Sequence, residues 1–281
     1  MEQILECVPN FSEGKDPKVL KAILQSLKGV EVLDHCADLD HNRSVFTFIG
    51  EPDKVIEAAF QACRTAAKLI DLTKHKGVHP RVGATDVIPL IPIKGITEKE
   101  AVALSISLAK RIGEELNIPT YLYEKSATIP SHKNLANLRA KGFKDSPDFG
   151  PATAGPAGFT VVGVRDFLIA FNINLKTSDL KIAKTIATQI REKDGGLPCV
   201  KALGLKLASK GITQISMNLT NYRITPPIKV FRLVRSLAHA HGTKILESEL
   251  IGLIPPEALK NTSPKELMIK DFNEKSILST Q

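Results

Sequence analysis

The run Lys74-His75-Lys76-Gly77-Val78-His79-Pro80-Arg81-Val82-Gly83-Ala84-Thr85-Asp86 concentrates two lysines, two histidines, an arginine and an aspartate with two glycines. An imidazole titrates near neutral pH, so His79 can take up and return a proton at a reacting centre. Cations beside it would lower its pKa and favour the neutral base, while Asp86 would oppose them. A lone histidine is also a common structural residue, and on the residues alone both roles stay open. His75 and His79 share the i, i+4 spacing of helical zinc ligands. No Glu follows His75, however, Gly77 and Pro80 disfavour helix, and the sequence offers no third ligand, so no metal site is expected.

Other chemistries find less support. The chain has no G-x-S-x-G elbow and no P-loop. Gly150, Gly155 and Gly158 do not form the dinucleotide fingerprint, although they would let backbone approach a flat ligand; plain loop flexibility is the alternative. His41 is expected as an exposed turn residue, and His239 and His241 as residues at a helix C-terminus.

The elements around the histidine loop follow from periodicity. Residues 3–8 read as a strand, and Asp16-Pro17 starts a helix whose face is Leu20, Ile23, Leu24 and Leu27. Two strands, 30–33 and 44–49, flank the polar turn 38–43, and Pro52 opens a second helix. Pro80 stops any helix at His79, leaving residues 74–86 as a loop between rigid neighbours. Residues 87–93 form a strand that Pro89 and Pro92 argue against placing centrally. Thr97 and Glu100 make a capping box for a helix to Leu116, and a short strand covers 120–123. Prolines and glycines then mark 126–158 as irregular, and a loop of that length inside a compact protein is usually functional or a linker.

From Phe167 the order repeats. Ile169, Phe171, Ile173 and Leu175 alternate with Asn172 and Asn174, and a helix, two strands, a helix and a strand follow to Leu253. Strand, helix, strand, strand, helix, strand describes both 3–93 and 167–253, the order of the split βαβ motif. The expected fold is therefore α+β, two ferredoxin-like (βαββαβ) subdomains, 1–166 and 167–281, with a substrate cleft between their sheets. Asn172 and Asn174 would face that cleft or a solvated surface.

Composition narrows the partners. A net charge of +8 is balanced between a solvated basic surface and small anionic substrates. No basic block or aromatic-basic interleaving is present, which disfavours nucleic acid. Four scattered cysteines without a C-x-x-C pair fit free thiols in a reducing compartment. No apolar run approaches the roughly 18 residues of a membrane span, and the acidic, strand-like start is unlike a signal peptide, so a cytoplasmic protein is expected.

Several stretches taken together resemble the glutamate formiminotransferase family: Glu6-Cys7-Val8-Pro9-Asn10-Phe11-Ser12-Glu13-Gly14-Lys15, Asn42-Arg43-Ser44-Val45, Leu69-Ile70-Asp71, His75-Lys76-Gly77 with His79-Pro80-Arg81, Pro147-Asp148-Phe149-Gly150-Pro151, and Phe167 to Leu175. They recur in order over nearly the whole chain. The resemblance implies transfer of the formimino group from N-formimino-L-glutamate to N5 of tetrahydrofolate, a co-substrate, in histidine breakdown. It implies His79 as the catalytic acid and base. It also implies a folate segment at Gly150-Pro151-Ala152-Thr153-Ala154-Gly155-Pro156-Ala157-Gly158, which here lacks the aromatic residue of some relatives. Arg43, Lys76 and Arg81 are expected anion contacts, with structural ion pairs as the other reading for each. Alternatives are 5-formyltetrahydrofolate:glutamate formyl transfer, or a non-catalytic binder of folate or RNA. A homodimer is compatible with the sequence, and a separate cyclodeaminase is expected in the pathway.

Overall fold

The computed structural model describes residues 2–141 and 145–278. Contacts divide it into two compact units, Met1–Arg165 and Asp166–Gln281.

The first unit is built on a seven-stranded sheet. Its first strand is broken at Val8-Pro9 into β1 (Ile4–Cys7) and β2 (Asn10–Phe11). These pieces lie between β4 (Arg43–Gly50), which continues into a hairpin with β3 (Glu31–Asp38), and β5 (Thr85–Lys94). β7 (Thr160–Val164) adds to β5 in parallel, and β6 (Thr120–Leu122) adds in parallel to β7.

Alternation sets the faces. Leu5, Cys7, Phe46, Phe48, Ile88, Leu90, Val162 and Val164 point to one side. There they meet the buried stripes of α1 (Pro17–Ser26), α2 (Pro52–Leu69) and α3 (Glu98–Glu115). Each helix starts as its sequence dictates. The Asp16 side chain accepts from Lys18 N at 2.8 Å, Pro52 occupies the first turn of α2, and Thr97 and Glu100 cap each other's backbone reciprocally. On the opposite face, Leu138 of α4 (Leu135–Lys141) packs with Val87, Tyr121, Tyr123 and Val161.

Two expectations change here. β5 is central, with β1 and β2 on one side and β7 on the other. Its prolines are accommodated because pairing to β7 spans only 87–90, which leaves Pro92 beyond that ladder, and because Pro89 contributes its carbonyl, accepting from Val8 N at 3.2 Å. The region read as irregular contains α4, although residues 142–144 lie outside the described ones, and the strand β7 that follows it carries no polar alternation to announce it. All of its residues are buried, as in a parallel strand covered on both sides.

The second unit runs β8 (Ile169–Leu175), α5 (Leu180–Ile190), β9 (Val200–Leu207), β10 (Ile212–Leu219), α6 (Pro227–Ala240) and β11 (Ile245–Ile251). Its antiparallel sheet has the order β11-β8-β10-β9. Ile169, Phe171, Ile173 and Leu175 pack with Ala183, Ile186, Val230, Phe231 and Val234 of the two helices. The other face is largely polar, buried at Asn174 and Gln214 and exposed at Leu203 and Asn218. Asn174 donates to Glu247 and Glu249 at 3.0 and 2.9 Å and accepts from Gln214 at 2.9 Å. Asn172 is likewise buried.

Candidate active site

The histidine loop is held by the β3–β4 turn. Asn42 sits in that turn with φ of 47°, a left-handed conformation that asparagine tolerates. Its side chain accepts from Gly14 N at 3.0 Å and donates to the Lys76 carbonyl at 2.9 Å. Val78 N donates to the Asp40 carbonyl at 3.1 Å. Arg81 closes the arrangement: its guanidinium donates to the carbonyls of His41 (2.8 Å), Asn42 (3.1 Å) and His79 (3.0 and 3.2 Å), and Nη1 meets the ring of His75. Every guanidinium N–H is thus directed at protein. The carbonyls of His41, Asn42 and His79 engage the Arg81 donors from within the protein. His75 faces this cation, and burial, followed by the Arg81 charge, lowers its pKa.

At the far end of the loop, Asp86 is fully buried on β5. Its Oδ1 accepts from Val82 N at 2.8 Å, while Oδ2 meets Arg43 Nη1 at 2.6 Å and also Arg139 Nη2. Burial alone would raise its pKa, but Arg43 and Arg139 outweigh that and hold it at about 2. Arg43 also donates to Asn10 Oδ1 at 2.8 Å. Two guanidinium groups around one carboxylate leave the cluster with net positive charge.

His79 lies beside this cluster, partly buried, its ring 5.9 Å from that of His41. Nδ1 is 2.7 Å from the Pro80 carbonyl. A carbonyl can only accept, so Nδ1 carries the hydrogen and Nε2 of the neutral ring keeps its lone pair. Desolvation, then the charges of Arg43 and Arg139, push the His79 pKa well below its ordinary value, against Asp86 and the Pro80 contact. The geometry yields an unprotonated imidazole at neutral pH next to positive charge, suited to drawing a proton from an attacking nucleophile while an anionic substrate is held close.

Segment 150–158 adjoins the same loop. Leu72 N donates to Pro156 O at 2.8 Å, Ala84 N to Ala157 O at 2.7 Å, and Phe159 N to Val82 O at 2.8 Å. Gly83 and Gly158 pair as a backbone bridge so close that a Cβ on Gly83 would lie 1.7 Å from Phe159 O. Gly158 has φ of 70°, and its Cβ would come 2.3 Å from Val82 O. Residues 152–156, by contrast, are exposed. The Lys76 side chain is exposed as well, and only its carbonyl joins the loop network.

The sequence reading missed two members of this neighbourhood. His41 is buried, not an exposed turn residue, because the loop folds over it. Arg139 emerges from α4 within the proline-rich region; the Leu135 and Leu138 spacing was the available sign of a helical turn there. Among the described residues, no group of three or more His, Cys, Asp or Glu side chains is placed to hold a metal ion, and no helix is long and apolar enough to cross a membrane.

Family models for the formiminotransferase domain match both units: its N-terminal subdomain over residues 4–165, and the formiminotransferase domain over residues 170–276. The chain belongs to the formiminotransferase family. It is 45% identical to a glutamate formimidoyltransferase of Thermoplasma acidophilum, covering 98% of this chain and 96% of that one. It is 43% identical to the glutamate formimidoyltransferase of Streptococcus pyogenes serotype M1, over 97% of this chain and 96% of the relative. A formimidoyltransferase-cyclodeaminase of Mus musculus is 42% identical over 92% of this chain but only 51% of its own length. The present chain therefore spans about half of that larger relative. Within the family match, the histidine loop, Arg43, Asp86, Arg139 and segment 150–158 all belong to the first unit.

Proposed function

We propose that this protein is a glutamate formimidoyltransferase that moves the formimino group of N-formimino-L-glutamate to N5 of tetrahydrofolate. The observation that carries the mechanism is the His79 ring: Nδ1–H is committed to Pro80 O, and burial, reinforced by the charges of Arg43 and Arg139, keeps Nε2 unprotonated. In this mechanism Nε2 removes the proton from N5 as N5 attacks the formimino carbon. The tetrahedral adduct collapses when the imidazolium returns that proton to the departing glutamate nitrogen, releasing glutamate and 5-formiminotetrahydrofolate and regenerating neutral His79. One residue serves as base and then acid, so the proton balance closes within each turnover.

The net positive Arg43–Asp86–Arg139 cluster would attract the carboxylates of both substrates. Arg139 Nε, which has no hydrogen-bond partner among the described residues, is the donor proposed for a glutamate carboxylate. Residues 150–158 would lie against folate, their backbone anchored at 156–158 and open at 152–155. Lys76 is retained as an outer anion contact. We assign 1–166 and 167–281 as the two subdomains, each on a ferredoxin-like core; the strand order β11-β8-β10-β9 supports this for the second. The protein is proposed to work in the cytoplasm without a metal.

The test is one assay run with two donor–acceptor pairs. Formiminoglutamate with tetrahydrofolate should yield 5-formiminotetrahydrofolate. Turnover only with 5-formyltetrahydrofolate and glutamate would replace this reading by formyl salvage. Folate binding without either turnover would make the protein a binder.

A further inference from the structure

Glu6 of the first unit is a buried carboxyl on a central strand. It stands in the middle of β1, is 1% exposed, and neither carboxyl oxygen has a hydrogen-bond partner among the described residues. Its neighbours Leu5 and Cys7 point into the helical core, so Glu6 points to the opposite face of the sheet. Ile49 of β4 and Ile91 of β5 are its direct cross-strand partners and form apolar walls on either side. Along the same face of β4, two residues apart, come Ile49, Thr47, Val45 and Arg43. Thr47 Oγ1 is also buried without a partner. The face therefore runs from the Arg43–Asp86 cluster at one end, past an unpaired hydroxyl, to an unpaired carboxyl at the other.

An unpaired carboxyl inside a protein is unfavourable unless something supplies donors. Two oxygens between flat aliphatic walls match a planar heterocycle with two adjacent N–H groups on one edge, which a carboxylate accepts in parallel. The amidine of formiminoglutamate does not fit this place, because it must react beside His79. The reduced pterin ring does: its ring N3–H and 2-amino group lie on the edge away from N5.

We propose that Glu6 is a substrate-binding residue that accepts the paired N–H donors of the pterin ring of tetrahydrofolate, with Thr47 contributing a further polar contact on the same sheet face. This rests on the folate-dependent reading above and adds the residue that would recognise the ring. Burial raises the Glu6 pKa to about 7, against the charge of Arg165. Donors from a ligand favour the ionised form, so binding near that pH releases a proton.

The experiment is calorimetric titration of tetrahydrofolate into the wild-type protein and Glu6→Gln near pH 6.5, in two buffers of different ionisation enthalpy. The wild type should release protons on binding. Glu6→Gln should release none and bind about 10–100-fold more weakly, the loss expected for hydrogen bonds to a charged group. A 2-desamino analogue should bind both proteins with similar, weakened affinity. Thermal unfolding checks that Glu6→Gln is folded, and Glu6→Val repeats the test should the amide find a new partner. Equal affinity of a folded variant, with no proton release by an active wild type, overturns the proposal and leaves the transferase reading standing. A wild type that binds no tetrahydrofolate overturns both.

Discussion

Arg43 Nη1 lies 2.6 Å from Asp86 Oδ2, with side-chain exposures of 10% and 0%. The pair adds to the effect of burial at His79, because Arg139 joins the same oxygen and leaves one cation in excess. Arg139 is the member to change, since breaking a buried pair by removing Arg43 would cost about 3–5 kcal/mol of stability. Arg139→Gln removes one of the charges that lower the His79 pKa. The acid limb of kcat/KM should move to higher pH in the variant, while in the wild type it lies well below the usual imidazole range. A pH–rate profile from pH 4 to 8 checks this; superimposable limbs would mean that Arg139 does not act on His79.

His79→Ala removes both proton transfers. Turnover should fall by about 10²–10⁴-fold, the usual worth of a general acid–base group. Folate affinity should change little, because residues 150–158 are anchored through Leu72, Val82 and Ala84, not through the imidazole. Steady-state rates paired with equilibrium binding separate the two effects, and wild-type turnover in the variant would remove His79 from the mechanism.

The contacts of Arg81 lie within the loop and the turn beside it. Its guanidinium ties the carbonyls of His41, Asn42 and His79 together, a planar fork that lysine cannot reproduce. Arg81→Lys and Arg81→Ala should therefore behave alike, with kcat reduced, the thermal midpoint lowered, and about 1.5–3 kcal/mol of stability lost. If Arg81 instead bound substrate, Arg81→Glu would chiefly raise the KM for formiminoglutamate at unchanged thermal stability.

Gly158→Ala tests the junction between the histidine loop and the folate segment. The alanine Cβ would come 2.3 Å from Val82 O in a left-handed backbone. The strained conformation alone costs about 1–3 kcal/mol, and the backbone contact adds to it. Denaturant unfolding should register the loss, and folate affinity should fall with it because the 156–158 anchor is displaced. Gly155→Ala, with nothing within 4 Å of its added methyl, is the control.

Local signals made most of the fold legible. Asp16-Pro17, Pro52 and the Thr97–Glu100 box start helices where the caps place them, and the alternation from Ile169 to Leu175 gives the inner face of β8. What escaped depends on long-range contact. The centrality of β5 overrides its prolines because the ladder avoids the missing N–H groups, and β7 reads as undistinguished valines until it is seen between two strands. His79 stood out by its crowded neighbourhood. The burial of His41 and the approach of Arg139 to Asp86 could not, since residues 41, 86 and 139 are brought together only by the fold.

Glu6 also leaves a mark on stability that is independent of any ligand. Its pKa rises from 4.5 in a free carboxyl to about 7 in the folded chain, driven by burial and only partly offset by Arg165; its cross-strand neighbours Ile49 and Ile91 carry no charge. Between those values the folded state binds the proton that the unfolded state has lost, so this group's contribution to stability falls as pH rises from about 4.5 to about 7. At about 1.4 kcal/mol per pH unit the full effect is roughly 3 kcal/mol, reached above pH 7. Glu6→Gln carries no proton to lose. Urea unfolding of both proteins should show the variant gaining on the wild type by roughly that amount between pH 4.5 and pH 8. A difference between the two that stays constant over this range would show that Glu6 keeps an ordinary carboxyl pKa, and with it would go the case for an unpaired carboxyl on that sheet face.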